Sequence, residues 1–333
     1  MMARGRLLIR TMRTAAVVAM LAAAPATALA QAWLPAQGEG SVGIQFQNIF
    51  SRDHFFPLER VDIGHIQTNA LILDFTFGLT DKVAVDLSVP YIASKYNGPQ
   101  PHPTTLDDGS YHGTMQDLRF AVRYAATKGR FAFTPYVGTI VPSHDYQFYA
   151  HAAPGRDLRE LQVGTYLAHL FDKPISGFFV QSRIAYGFME SVQDISHGRA
   201  MMDLEIGDFV TERLRLFAIG SAQVTNGGID LPSMGPLGLP LALQPYHDQI
   251  DRNDFLNVGG GVSLALRDSL DLFGSYVTSV ANRNGHATNR GIDVGLSWSF
   301  KRKGASALAV ARAAALTDRD AEARSLVKCV CQR

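Results

Sequence analysis

Cysteine is almost missing. The only two, Cys329 and Cys331, stand at the far end of 333 residues, so no internal disulfide framework braces the fold. Charge is scarce too: Asp, Glu, Lys and Arg make up 18% of the chain, and the formal net charge is +1. A balance that close to neutral excludes an electrostatic grip on nucleic acid. Beyond Ala30 no stretch approaches the ~18 unbroken apolar residues of a transmembrane helix. HExxH, GxSxG, a P-loop and the Cys/His spacing of a zinc site are all absent. An outer-membrane phospholipase would need His and Ser two apart on one outward strand face, followed by Asn-Gly, and no segment supplies them. The sequence therefore predicts no catalytic residue, no cofactor and no metal site.

What is present begins with an export signal. Arg4, Arg6, Arg10 and Arg13 form a basic start, and Ala15 to Leu29 is apolar and Ala-rich. Ala28-Leu29-Ala30 is a small-x-small cleavage site, which places the mature start near Gln31. A membrane anchor is the weaker reading, because the apolar run is short and Pro25 interrupts it.

Long two-residue alternation then takes over. In Gln67 to Tyr91, Leu71, Leu73, Phe75, Phe77 and Leu79 share one face, and Val83, Val85, Leu87, Val89 and Tyr91 share another beyond the break at Thr80 to Lys82. Side chains of a strand point alternately to opposite faces, so this is a hairpin of half-buried strands. Each arm reaches the roughly 9–11 residues that a tilted strand needs to cross a bilayer. The pattern recurs at Ser41 to Phe50, Thr114 to Tyr124, Arg130 to Val141 and Leu158 to Phe171. It returns at Phe178 to Phe188, Arg199 to Val210, Leu214 to Val224, Asn253 to Leu266, Leu270 to Val280 and Arg290 to Phe300. Pro135 predicts a bulge in its strand.

About twelve strands is an even count, as single-chain bacterial barrels require. Connections alternate between long and short without exception. Some dozen residues follow Phe50, and long segments follow at Ser94 to Gly113, Pro142 to Asp157 and Thr225 to Arg252. Short periplasmic turns and long external loops give that rhythm. The fold class expected is all-β: a transmembrane antiparallel up-and-down barrel in the outer membrane of a Gram-negative bacterium, spanning residues 31–300. A soluble β-sandwich explains the alternation but neither the rhythm nor the strand length. Membrane lipid, the barrel-assembly machinery and a small-molecule solute are the partners expected.

With the apolar face toward lipid, the lumen must hold the polar set: Asp74, Asp86, Asp117, Arg119, Arg123, Glu160, Arg183, Asp203, Glu205, Asp271 and Asp293. Mixed signs predict ion-pair ladders across neighbouring strands. Tyr91, Tyr124, Tyr186, Phe188, Trp298 and Phe300 lie near strand ends, where aromatic girdles belong. The longest loop is unusually apolar, with Leu231, Met234, Leu237, Leu239, Leu241 and Leu243, and reads either as a lid or as a segment packed on the rim. His102, His112, His144, His151, His197 and His247 fall in external loops and read as solvated, with a loop metal site as the lesser alternative. The tail from Lys301 to Arg333 stops alternating and reads as a helical or frayed periplasmic extension.

Phe77 to Tyr91 (FGLTDKVAVDLSVPY), Gly113 to Tyr124 (GTMQDLRFAVRY) and Val141 to Asp145 (VPSHD) carry a resemblance. So do the turn Thr211 to Leu214 and the closing GLSWSF. In these the chain resembles the MetA-pathway-of-phenol-degradation family of outer-membrane transporters, over about Gly38 to Phe300. The resemblance implies passage of small, hydrophobic or aromatic compounds. A closed barrel that binds ligands through its loops is the competing expectation, and a barrel lipid hydrolase ranks below it.

Overall fold

A computed structural model describes residues 32–57, 59–127, 129–172, 177–231 and 239–300. The export signal, Met234, Leu237 and the tail with both cysteines lie outside these residues. The strands are β1 (Gly40–Phe55), β2 (Arg60–Thr80), β3 (Val83–Asn97), β4 (His112–Met115), β5 (Leu118–Tyr124), β6 (Phe131–Val141) and β7 (Glu160–Leu170). They continue as β8 (Phe178–Met189), β9 (His197–Phe209), β10 (Leu214–Gly227), β11 (Asp254–Arg267), β12 (Leu270–Arg283) and β13 (Arg290–Phe300). Apart from β4 and β5, strands adjacent in sequence pair antiparallel, and β1 closes the ring against β13. Both β4 and β5 pair with β3, as two pieces of one stave, so the barrel has twelve staves. Closure matters because hydrocarbon offers no partner to an open sheet edge.

The alternation puts the faces where the sequence places them. Val42, Ile44, Phe46, Leu71, Leu73, Phe120, Val122, Val258, Val294 and Leu296 are exposed outward as an apolar band. Tyr91, Tyr124, Phe188 and Trp298 are exposed on the same side, and Phe300 stacks with Phe75 and Phe77. Among the described residues no helix is long and apolar enough to cross a membrane.

Two expectations are corrected. The bulge falls opposite Pro90, not at Pro135. Register slips by one residue between Tyr91↔Met115 and Ser88↔Arg119, and the Gln116 N–H donates to Pro90 O at 2.9 Å. Pro90 has no N–H to offer the next stave, so that stave breaks there. Pro135 pairs with Thr165 in unbroken register, and its other ladder ends one residue earlier, at Tyr136. The strict long/short rhythm also fails. Only residues 56–59 join β1 to β2, fewer than the inner connections 125–130 and 171–177. Residues 51–55 and 60–66, polar enough to read as loop, continue the hairpin beyond the bilayer.

Candidate functional site

The inward faces enclose a cavity of about 720 Å³ lined by Asp74, Asp86, Arg119, Arg123, Arg183, Asp203 and Glu205, among others. Four ion pairs brace its wall. Arg123 grips Asp86 with two nitrogens, Nε to Oδ2 at 2.6 Å and Nη2 to Oδ1 at 2.7 Å, while Thr76 donates to Oδ1 at 2.7 Å. Arg183 Nε donates to Asp203 Oδ2 at 2.6 Å, directly across the β8–β9 ladder. Arg215 Nη1 donates to Glu205 Oε1 at 2.8 Å, and Gln181 donates to the other oxygen at 2.9 Å. Glu160 on β7 pairs with Arg199 on β9 by passing over Gly187 on β8, where any Cβ would collide with the carboxylate.

The remaining expected residues also point inward but do not border that cavity. Asp117 accepts from Tyr146, Asp293 accepts from Ser275 Oγ at 3.3 Å, and Asp271 is buried. Arg199 and Arg215 were not foreseen. The inward face of β10 carries Phe217 and Ile219 beside Arg215, Ser221 and Gln223, so its alternation is blurred.

The paired charges set a further expectation. Arg183→Ala leaves Asp203, whose side chain is 44% exposed, facing the cavity without its guanidinium. An uncompensated carboxylate beside the path favours cations. The reversal potential across a salt gradient should therefore move toward cation selectivity, and an unchanged potential would place ion flow elsewhere.

At the periplasmic end, residues 32–38 lie along half the inner circumference, from β8 round to β1. Ala32 and Trp33 pack on Ala132, Ala168, Leu170 and Phe179, and Leu34 packs on Ala84 and Ala125. Small side chains on the wall leave a trough for this strap. Trp33 Nε1 donates to Gly129 O at 2.8 Å, Thr134 Oγ1 to Ala32 O at 2.7 Å, and the Gly38 N–H to Gly78 O at 2.9 Å. The strap narrows the lower lumen.

At the outer end the loops are knitted together. Asp107 accepts from the His102 N–H (2.9 Å), the His151 N–H (3.1 Å) and the Ala152 N–H (2.9 Å), and it also meets His102 Nδ1 at 3.1 Å. Burial opposes its ionisation, but those donors outweigh it and hold the carboxyl down at about 2. Asn284 spans the other side. It accepts from the Leu231 N–H (3.2 Å) and donates to Asp230 (3.1 Å) and Arg252 O (3.0 Å). Gln249 Nε2 donates to Arg156 O at 2.6 Å and links the two halves. Burial pushes the Asp251 carboxyl up to about 7 against the pull of Arg156.

The histidines are therefore not all solvated. His197 and His247 are buried, and burial beside His102 drives His151 down to about 4. His144 is exposed, and His112 is half-buried against Asp108. The apolar loop divides: Leu231 is fully buried, Leu239 and Leu243 are half-buried, and Leu241 is 82% exposed. One-dimensional spacing carries no sign of the convergence of His54, His102, His151, His247 and His286. The available hint is that these five come from separate outer connections or strand ends.

Among solved structures, the barrel is similar to an outer membrane channel from Pseudomonas putida F1, with a TM-score of 0.62 and 11% identity over 81% of this chain and 98% of that one. It is also similar to the translocator domain of the autotransporter NalP from Neisseria meningitidis (TM-score 0.48, 12% identity, 90% and 98% covered). The NanC porin matches with a TM-score of 0.45 and 8% identity over 78% and 100%. No family model matches the sequence, and no curated protein does. At such identities the likeness is one of fold. The chain has the fold of an outer-membrane β-barrel.

Proposed function

We propose that the protein is a passive outer-membrane channel for small solutes, a non-catalytic conduit of the type the MetA-like resemblance implies. The observation that carries this reading is the cavity of about 720 Å³ inside a closed barrel, walled by four guanidinium–carboxylate pairs. Paired charges keep such a wall wet without committing it to one sign of solute. Of the residues named from the sequence, Asp74, Asp86, Arg119, Arg123, Arg183, Asp203 and Glu205, which border the cavity, would form the path. A preference for hydrophobic or aromatic solutes would enter only at the outer loop, where Leu241 stands 82% exposed and Leu239 and Leu243 flank it. Lipid meets the apolar band, and the barrel-assembly machinery would insert it.

Loop deletion separates the two parts of this reading. Residues 233–242 can be removed without touching Leu231, which anchors the loop through Asn284. The shortened protein should remain a folded barrel, admit small polar solutes in a liposome-swelling assay, and take up an apolar solute more slowly. Unchanged apolar uptake would remove the landing role of the leucines. A second reading, a closed barrel, draws on the strap at Trp33 and the knitted outer loops, and conductance decides between them.

A further inference from the structure

The outer mouth holds a group of side chains that the channel reading does not use. His54 ends β1, His286 sits in the connection 284–289, and Asp248 lies on the single helical turn His247–Ile250. One donor atom from each lies within 4.8 Å of the other two. The arrangement is built rather than incidental. A backbone bridge sets His54 beside His286, with Phe55 N–H donating to Gly285 O and Ala287 N–H to Asp53 O, each at 2.9 Å. Their rings meet edge to face at 4.7 Å. Asp248 is brought over them by the pairing of Ile229 with Asp251.

The unused atoms point to a ligand. His54 is 5% exposed, and its Nδ1 has no hydrogen-bond partner among the described residues; neither has His286 Nε2. An imidazole nitrogen buried without a partner costs stability. His247 adds a second sign. Its Nδ1 lies 2.7 Å from Gln244 O and must carry a proton to donate there. A neutral ring then aims the lone pair of Nε2 at Asp248 Oδ1, 3.3 Å away. Two acceptors face each other at that distance only with a cation between or beside them. The cation is either a second proton on His247 or a metal ion.

We propose that His54, His286 and Asp248, with His247 as fourth donor, bind one divalent transition-metal ion of the Zn²⁺ class at the outer mouth. Imidazole with a carboxylate suits Zn²⁺, which accepts N and O donors at about 2.0–2.2 Å in a tetrahedron. A tetrahedron of that size sets its donors about 3.4 Å apart, so the three atoms, now within 4.8 Å of one another, would have to draw together on binding. The Gln244 carbonyl on His247 Nδ1 is the outer partner that fixes a metal-binding tautomer. The ion would staple the end of β1 to two separate loops, whether or not the barrel conducts. The neighbouring trio His102, Asp107 and His151 does not make an equal claim, because its carboxylate is already saturated by backbone donors.

The test is Zn²⁺ titration of the full, detergent-folded chain by calorimetry, with Zn K-edge absorption on the loaded protein. One equivalent should bind, in a shell of N and O only. Losing even an outer partner of a metal ligand costs about 10–100-fold in affinity, so His286→Ala and Asp248→Asn should each weaken binding at least that much. His102→Ala should bind as the parent does. Heat-modifiable gel migration verifies that each variant is folded, and Asp248→Asn preserves shape if His286→Ala does not fold. Absence of binding to the parent would overturn the proposal. So would a sulfur shell, which places the ion on Cys329 and Cys331, or full affinity in folded His286→Ala and Asp248→Asn.

Discussion

Asp107→Ala is expected to unfasten the outer mouth while leaving the barrel whole. Its carboxylate, fully buried at the side chain, is the common acceptor for backbone donors from two loops, 98–111 and 142–159. Alanine leaves three such N–H groups without it. A buried donor stripped of its acceptor costs about 1–3 kcal/mol, so the sum is on the order of 5 kcal/mol, more than loops of this kind hold in reserve. The cheaper outcome is for both loops to swing out and hydrate. The staves carry their own ladders and are indifferent to that. Limited proteolysis should therefore cut within 98–111 or 142–159 in the variant and spare the parent, while both keep the heat-modifiable migration of a folded barrel. Loops that stay resistant would mean that Asp107 does not hold them.

Trp33→Ala should be felt at the opposite end. Trp33 is 7% exposed, set among Ala132, Ala168, Leu170 and Phe179 on the lumen side, where water rather than lipid is the alternative. The hydrophobic effect therefore operates on it in full, unlike on the outward face of the same strands. Removal of a buried Trp from a packed site costs about 3–5 kcal/mol, and the indole hydrogen bond to Gly129 O goes with it. The strap should detach from β6–β8 and widen the periplasmic end. A lowered thermal midpoint together with larger conductance steps is the expected pair of results. Destabilisation without larger steps would show that the strap does not narrow the path.

Much of this was legible from period alone. Alternation located the staves from Gly40 to Phe300, because a barrel in lipid punishes any apolar residue turned inward or polar residue turned outward. It also sorted Asp86 from Leu87 and Arg183 from Ile184. The two unforeseen arginines sit where that contrast fades: Arg215 shares its inward face with Phe217, and Arg199 lies in the first residues of β9, just after the polar connection 190–196. What stayed illegible was contact between segments far apart in sequence. The bulge needed knowledge of what lay opposite Pro90. The first external hairpin hid because polar residues beyond the bilayer need no alternation. The histidine assembly joins loops more than a hundred residues apart, and a histidine in a loop looks the same whether solvated or buried.

The most direct measurement is single-channel recording of the purified protein in a planar bilayer. The parent should give discrete ohmic steps, small because both ends are narrowed, and Trp33→Ala should give larger ones. Silence from both, with insertion verified, would contradict a conducting lumen and leave a closed barrel in its place.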